Sequence, residues 1–159
     1  DELLAEEPEK FSHALDSAFA GTLGKTRLNS DRVAFPLKRQ LAKTMLHGRT
    51  LLLGDAAHPT TQYMAQGACM AMEDAVTLGE ALRVHDNDWD KALDLYQRSR
   101  VARTARIVLS GREMGRLYHA AGVERLIRNS LWKGRSQERF YDAIEWLYGW
   151  NVNNCLQQG

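Results

Sequence analysis

The chain has 159 residues, enough for a core of useful size. Its 44% apolar and 26% charged residues are the composition of an ordinary globular domain, and a formal net charge of +1 gives no electrostatic reason to expect nucleic acid or an acidic partner. Two cysteines, Cys69 and Cys155, are too few for a disulfide framework and suggest a reducing compartment. No apolar run is long enough to span a membrane and no signal peptide is visible, so the expected location is cytoplasmic.

The chain opens on Asp1 inside an acidic, helix-like segment, and the expectation is that it forms part of a longer polypeptide. Residues 1–7 read as a frayed or partly helical lead-in. Residues 8–19 read as a helix, with Phe11, Leu15, Ala18 and Phe19 at helical spacing and Pro8 in the first turn. Residues 21–30 are a connection. Residues 32–37 alternate as a strand would, and Pro36 places that strand at a sheet edge or strand end. Residues 38–46 are ambiguous, with a short helical turn as one reading. His47-Gly48-Arg49 is a tight turn feeding a strand at 50–53, apolar on both faces as in a buried parallel sheet.

A helix is expected from about Gly67 to Leu82, with Ala68, Ala71, Met72, Ala75, Leu78 and Leu82 on one stripe. Small residues near its start let a ligand approach the backbone. Asp88 is a candidate N-cap for a long helical span at 89–120, in which Gly111 and Gly115 either bend the helix or let another helix pack closely. Two shorter helices, 122–132 and 137–148, are joined at Gly134, and the polar tail 151–159 is expected to fray. The fold is therefore mainly α with one or two short strands. The division expected is 1–49 as a connecting region, 50–120 as strand, loop and helices, and 121–159 as C-terminal helices.

The chemistry concentrates after the strand at 50–53. Asp55 is either a turn acid that caps local N–H groups or a carboxylate that binds ligand hydroxyls, and Gly54 with the alanines after it leaves room for the second. Gln66-Gly67-Ala68 is either an ordinary helix start or a set of backbone N–H groups aimed at an electron-rich ligand group. His58 reads as structural, since no histidine has ligand spacing for a metal. Glu73-Asp74 reads as a solvated face, with Glu73 also able to reach a buried polar partner, and Cys69 reads as a small core residue. Arg98, Arg100, Arg103, Arg106, Arg112 and Arg116 spread round the long helix and read as surface charges and interdomain contacts. Trp132, Phe140, Tyr141, Trp146, Tyr148 and Trp150 read as core or interface residues.

Taken in order, Gly54-Asp55-Ala56-Ala57-His58-Pro59, Gln66-Gly67 and Ala71-Met72-Glu73-Asp74-Ala75 resemble the second FAD-binding motif of the single-component flavoprotein aromatic hydroxylases, the p-hydroxybenzoate hydroxylase-like family. The loop 59–69 is similar to that of the 3-hydroxybenzoate 6-hydroxylases, with the salicylate hydroxylases close behind. Likeness also runs through 95–100 and 146–150. Three positions depart from the wider pattern: Gln62 stands where most members have Pro, Ala65 where many have Gly, and Cys69 where many have Asn.

The resemblance implies the C-terminal portion of an α/β, Rossmann-like FAD-binding monooxygenase fold. It implies FAD as cofactor and NADH or NADPH as co-substrate, with O2 delivering one oxygen to a hydroxybenzoate, 3-hydroxybenzoate giving gentisate. Residues 1–49 then end the substrate-domain region. Position by position, Gly54 and Asp55 meet the ribityl chain, Pro59 lines the flavin and substrate side, Gln66, Gly67 and Ala68 meet the flavin pyrimidine edge, and Gln62 contacts the substrate. No G-x-G-x-x-G fingerprint follows a strand here, so the chain alone is expected to hold FAD poorly and to be inactive. No nucleic acid or membrane partner is expected, and a homodimer is, with the aromatic C-terminal helices as packing surface. The alternatives are a salicylate hydroxylase or related monooxygenase, a halogenase or epoxidase of the same flavin superfamily, and a non-enzymatic helical interaction domain.

Overall fold

A computed structural model describes residues 2–37 and 40–156. Asp1 of the lead-in, Lys38 and Arg39 of the ambiguous stretch, and 157–159 of the tail lie outside the described residues. The chain divides into two compact units, 1–36 and 37–159.

The first unit holds α1 (Glu2–Ala5) and α2 (Pro8–Ala18), with Pro8 in the first turn of α2, where its missing N–H is not needed. Asp16 of α2 accepts hydrogen bonds of 2.7 Å from both the N–H and the hydroxyl of Thr26, which ties the following turns back to the helix. These bonds hold the Asp16 carboxyl below its usual range. Arg32 donates to the Glu6 carbonyl and stands over the Phe11 ring. The strand expected at 32–37 does not form. Val33 and Phe35 are exposed, and a strand needs a paired neighbour for its backbone and a second layer for its apolar face.

In the second unit the stretch before the hairpin has no helical turn among its described residues, 40–45. β1 (Leu46–His47) and β2 (Thr50–Leu51) pair antiparallel around Gly48-Arg49, with Gly48 at φ +57° as a two-residue turn of this kind requires. The strand at 50–53 is thus neither parallel nor buried. Only Thr50 and Leu51 pair, and Leu52 and Leu53 stand exposed. The Gln97 side-chain oxygen accepts from the N–H groups of Met45 and Leu46 and seats the hairpin on the long helix.

α3 (Gly67–Val84) and α4 (Trp89–Tyr118) form the frame. Four residues connect them, and Asp88 caps α4 by accepting from the Lys91 N–H at 3.2 Å, as its sequence position predicts. Contacts run from Glu73 to Arg103 and from Asp74 to Arg100, so the two helices are antiparallel. One apolar cluster, Met45, Ala57, Ala81, Ala92 and Tyr96, lies at the α3–α4 turn end, and a second, Met70, Ile107, Val108 and Leu147, at the far end. α5 (Gly122–Trp132) and α6 (Gln137–Tyr148) follow close to the expected bounds. The tail does not simply fray: Cys155 is buried and Leu156 packs on the first cluster. Among the described residues no helix is long and apolar enough to cross a membrane.

The apolar stripe of α3 faces this frame only in its C-terminal part, where Leu78 and Leu82 pack on the first cluster. Ala68, Ala71, Met72 and Ala75 are exposed, Met72 at 62%, while Met70, Glu73, Asp74, Thr77 and Ala81 are buried. The buried face of α3 is thus largely polar. Helical periodicity reports which residues share a face and leaves open which face a neighbour will cover.

Candidate functional site

The site starts at the turn after β2. Residues Gly54–Ala56 form a 3-10 turn, and the Gly54 carbonyl accepts from the N–H groups of both Ala57 and His58 at 2.9 Å. Gly54 has φ +53°, and a Cβ there would lie 3.2 Å from the Ala71 Cβ, so backbone conformation and the approach of α3 both select glycine. The turn leaves Asp55 exposed at its crest and buries His58 completely.

Asp74 closes the turn from below. Its Oδ2 accepts from the Gly54 N–H at 2.9 Å and from His58 Nε2 at 2.7 Å, and its Oδ1 accepts from Arg100 Nε at 2.7 Å. Glu73 beside it takes Arg100 Nη1 and, as a two-pronged pair, Arg103 Nε and Nη2, each at 2.7 Å. Arg103 also donates to the carbonyls of Trp146 and Leu147 at the end of α6. Two acids and two arginines therefore form a buried layer between the apolar clusters, joining the 54–58 turn, α3, α4 and α6.

This arrangement corrects two expectations. Glu73-Asp74 is not a solvated face, and Arg100 and Arg103 are not surface charges. Each buried charge has an opposite charge at hydrogen-bond distance, the condition under which such burial is tolerated. Burial pushes the Asp74 carboxyl up, but the bonds from His58, Gly54 and Arg100 outweigh it and hold the group below its ordinary value. Burial, with the charge of Asp74, pushes the nearby Tyr96 hydroxyl up. The remaining four arginines of the set are exposed, and Arg106 stands over the Trp146 ring at 3.9 Å. His58 has the structural place expected of it. Among the described residues no cluster of His, Cys, Asp and Glu could hold a metal ion.

Above the turn, Asp55 lines a cleft of about 480 Å³ with Gln62, Gln66, Gly67 and Ala68. Five of the seven residues singled out from the sequence thus share one wall, while Gly54 lies beneath it and Pro59 does not line it. Thr60, Thr61, Ala65, Ala71 and Leu37 complete the lining. Sequence reasoning missed Leu37, which it placed at the end of a strand that does not form, and Ala71, whose exposure depends on which face of α3 is covered. Gln66 is the N-cap of α3 without a capping side-chain bond, so the first-turn N–H groups have no side-chain acceptor from the cap. Ala65, just before, has φ +51°, a left-handed conformation that a residue with a Cβ adopts reluctantly and glycine freely. Cys69 is half-buried rather than a core residue.

Chemically, one wall offers an acceptor carboxylate and, about a dozen residues later in the chain, a run of backbone donors at the positive end of an 18-residue helix dipole. It suits a ligand with hydroxyls at one end and an electron-rich edge at the other, beside an amide, Gln62, that can donate or accept.

The sequence profile of the family described as FAD binding domain matches residues 4–110. The chain is 86% identical over 111 residues to the 3-hydroxybenzoate 6-hydroxylase 2 of Aquipseudomonas alcaligenes, a match covering 70% of this chain and 35% of that protein. It is 84% identical over 109 residues to the 3-hydroxybenzoate 6-hydroxylase of Polaromonas naphthalenivorans, covering 69% of this chain and 27% of that protein. Among solved structures, Klebsiella pneumoniae HpxO complexed with FAD and uric acid superposes with a TM-score of 0.65 at 26% identity, covering 97% of this chain and 40% of that one. The matches span only 27–35% of the length of these curated relatives.

Proposed function

This chain belongs to the FAD-binding-domain family, and from that premise we propose that it supplies one wall of the flavin and substrate site of a monooxygenase that hydroxylates 3-hydroxybenzoate to gentisate with FAD, NAD(P)H and O2. The observation that carries the reading is the cleft, where Asp55, Gln62, Gln66, Gly67 and Ala68 converge. The exposed carboxylate and the uncapped α3 N-terminus have the polarity that FAD asks for: acceptors for ribityl hydroxyls, donors for the pyrimidine edge. Bound and reduced FAD would supply the activation of O2.

The chain's own residues have the following roles on this reading. Asp55 accepts from the ribityl hydroxyls, and Gly54 gives the turn its shape. The N–H groups of Gly67 and Ala68 stabilise negative charge at the flavin edge without reorganising, with Gln66 as the cap that directs them. Pro59 and the loop after it line the flavin and substrate side. Gln62 hydrogen-bonds a polar group of the aromatic substrate. Residues 1–49 end the substrate-domain region, 50–120 carry the second flavin motif and 121–159 the C-terminal helices. The setting is a Rossmann-like α/β fold completed by the part of the relatives' length that this chain does not match. Substrate choice rests on the names of relatives 84–86% identical to this chain.

The test uses the polypeptide that carries this chain together with that remaining length. As purified it should carry the flavin spectrum, and 3-hydroxybenzoate should stimulate its NADH oxidation more than salicylate does. Asp55→Ala should weaken FAD binding by about 1.5–3 kcal/mol, the contribution of hydrogen bonds to a charged group, about tenfold or more in Kd. Stimulation by salicylate alone would change the substrate and keep the mechanism. A protein that takes up no FAD would remove the proposal.

A further inference from the structure

The segment 60–66 is a wall with two faces. Thr60, Thr61, Gln62, Ala65 and Gln66 look into the cleft beside Asp55. Tyr63 and Met64, in the same segment, line a groove of about 1490 Å³ bordered by α4, α5 and α6. The segment rests on α4, and α4 has two glycines there, Gly111 and Gly115, one helical turn apart. A Cβ on Gly111 would lie 3.3 Å from Thr60 Oγ1, 3.6 Å from Met64 Cγ and 3.7 Å from Thr61 Oγ1. A Cβ on Gly115 would lie 2.6 and 2.8 Å from Cε2 and Cδ2 of Tyr63, closer than carbon atoms pack. The Tyr63 ring therefore occupies the space a side chain at 115 would need. The trough admits the loop.

The other sides of the ring are also held. Tyr118 lies 5.9 Å away and His119 5.6 Å, edge-on, and His119 Nδ1 donates to the Gly115 carbonyl at 2.7 Å. The hydroxyls of Thr60 and Thr61 are buried with no hydrogen-bond partner among the described residues. Interlocking shape, rather than side-chain bonds from those threonines, thus registers the segment on α4. Close-packed contacts of this kind respond to a single added methyl.

We infer that Gly115 and Tyr63 are positioning residues: their interlock sets how far the 60–66 segment projects into the cleft, and through it where the Gln62 amide meets the aromatic substrate. The inference rests on the reading of the cleft given under Proposed function. Neither residue lines the cleft.

The experiment compares Gly115→Ala, Tyr63→Ala and the double variant in the flavin-loaded protein. Gly79→Ala is the reference, because nothing lies within 4 Å of a Cβ at that α3 position. The readouts are hydrogen exchange of the 60–66 amides, bound flavin, KM for 3-hydroxybenzoate and the fraction of NADH consumed without hydroxylation. Gly115→Ala should speed exchange in 60–66, raise KM by about tenfold and increase uncoupling, with flavin content unchanged, since small misplacements of a positioning group carry large penalties. The double variant should match Tyr63→Ala alone, because alanine lacks the ring atoms that occupy the space the new methyl fills. Gly79→Ala should behave as wild type. Unchanged exchange or KM in Gly115→Ala would overturn the inference, and so would additive effects in the double variant. If Gly115→Ala does not fold, Gly111→Ala takes its place, with smaller shifts of the same kind expected and unchanged exchange again refuting. A wild-type protein that holds no flavin would refute the reading of the cleft, whereas the exchange comparison decides on its own whether the interlock fixes the segment.

Discussion

Replacing Asp74 by alanine should expose how far the buried ionic layer holds this chain together. The substitution removes three hydrogen bonds, from Gly54 N–H, His58 Nε2 and Arg100 Nε, and leaves those donors in a space where Asp74 itself is fully buried. Removing one partner of a buried ion pair costs about 3–5 kcal/mol, a large part of the about 5–15 kcal/mol that a domain has. With a urea dependence of about 2 kcal/mol per molar, the unfolding midpoint followed by circular dichroism should fall by about 1.5–2.5 M. Asparagine should not rescue it, because both carboxylate oxygens accept from N–H donors and an amide offers one acceptor. Arg98→Ala, which breaks the exposed 3.0 Å pair with Asp94, should change stability by less than about 0.5 kcal/mol. The pH dependence is a second signature. The folded Asp74 carboxyl lies below its ordinary value of 3.8, so its contribution is complete above that value and disappears as pH falls through the folded one. The gap between wild type and Asp74→Ala should therefore be constant from about pH 5 to 8 and narrow below about pH 4. A midpoint shift below about 0.5 M at neutral pH is the size expected of an exposed pair, and it would refute the reasoning.

Two further outcomes test the turn and the tail. Gly54→Ala should destabilise by about 1–2 kcal/mol for the left-handed backbone alone, with the 3.2 Å approach to Ala71 adding to it, and an unchanged midpoint would mean the turn relaxes freely. Cys155 is buried and burial pushes its thiol up, whereas Cys69 is half-buried at the start of α3. A thiol reagent at pH 7 followed by mass spectrometry should label Cys69 first and Cys155 only on unfolding, and equal rates would contradict the packing of the tail.

The exposed N-terminal part of the apolar stripe of α3 and the buried polar layer share one physical logic. Ala68, Ala71, Met72 and Ala75 look away from α4, and on the proposed reading small side chains at the start of α3 let a flavin come close to the backbone. The face toward α4 carries Glu73 and Asp74 because arginines on α4 meet them there. Arg100 and Arg103, three residues apart on α4, face adjacent acids on α3.

Local rules determined the helices of this protein. Pro8 opens α2, Asp88 caps α4, Gly134 lies between α5 and α6, and helical periodicity carried 89–120 as one long span, of which Trp89–Tyr118 is helix. The same rules, read with the family resemblance, gathered Asp55, Gln62, Gln66, Gly67 and Ala68 as site candidates, because a carboxylate after a glycine turn and an open helix start are features of neighbouring residues. Tertiary structure decided what is buried. A Glu-Asp pair has the pattern of a solvated face until arginines from 26 to 30 residues away pair with it, and no local signal reports that distance. The apolar residues at 50–53 look like a buried strand, yet burial requires a covering layer, and Leu52 and Leu53 have none among the described residues. In sequence Gly111 and Gly115 read as a bend or a seat for another helix, and the structure seats the 60–66 segment there, with Thr60, Thr61 and Met64 against Gly111 and Tyr63 against Gly115. Conformation follows from neighbours along the chain, whereas exposure, charge pairing and close approach follow from neighbours in space.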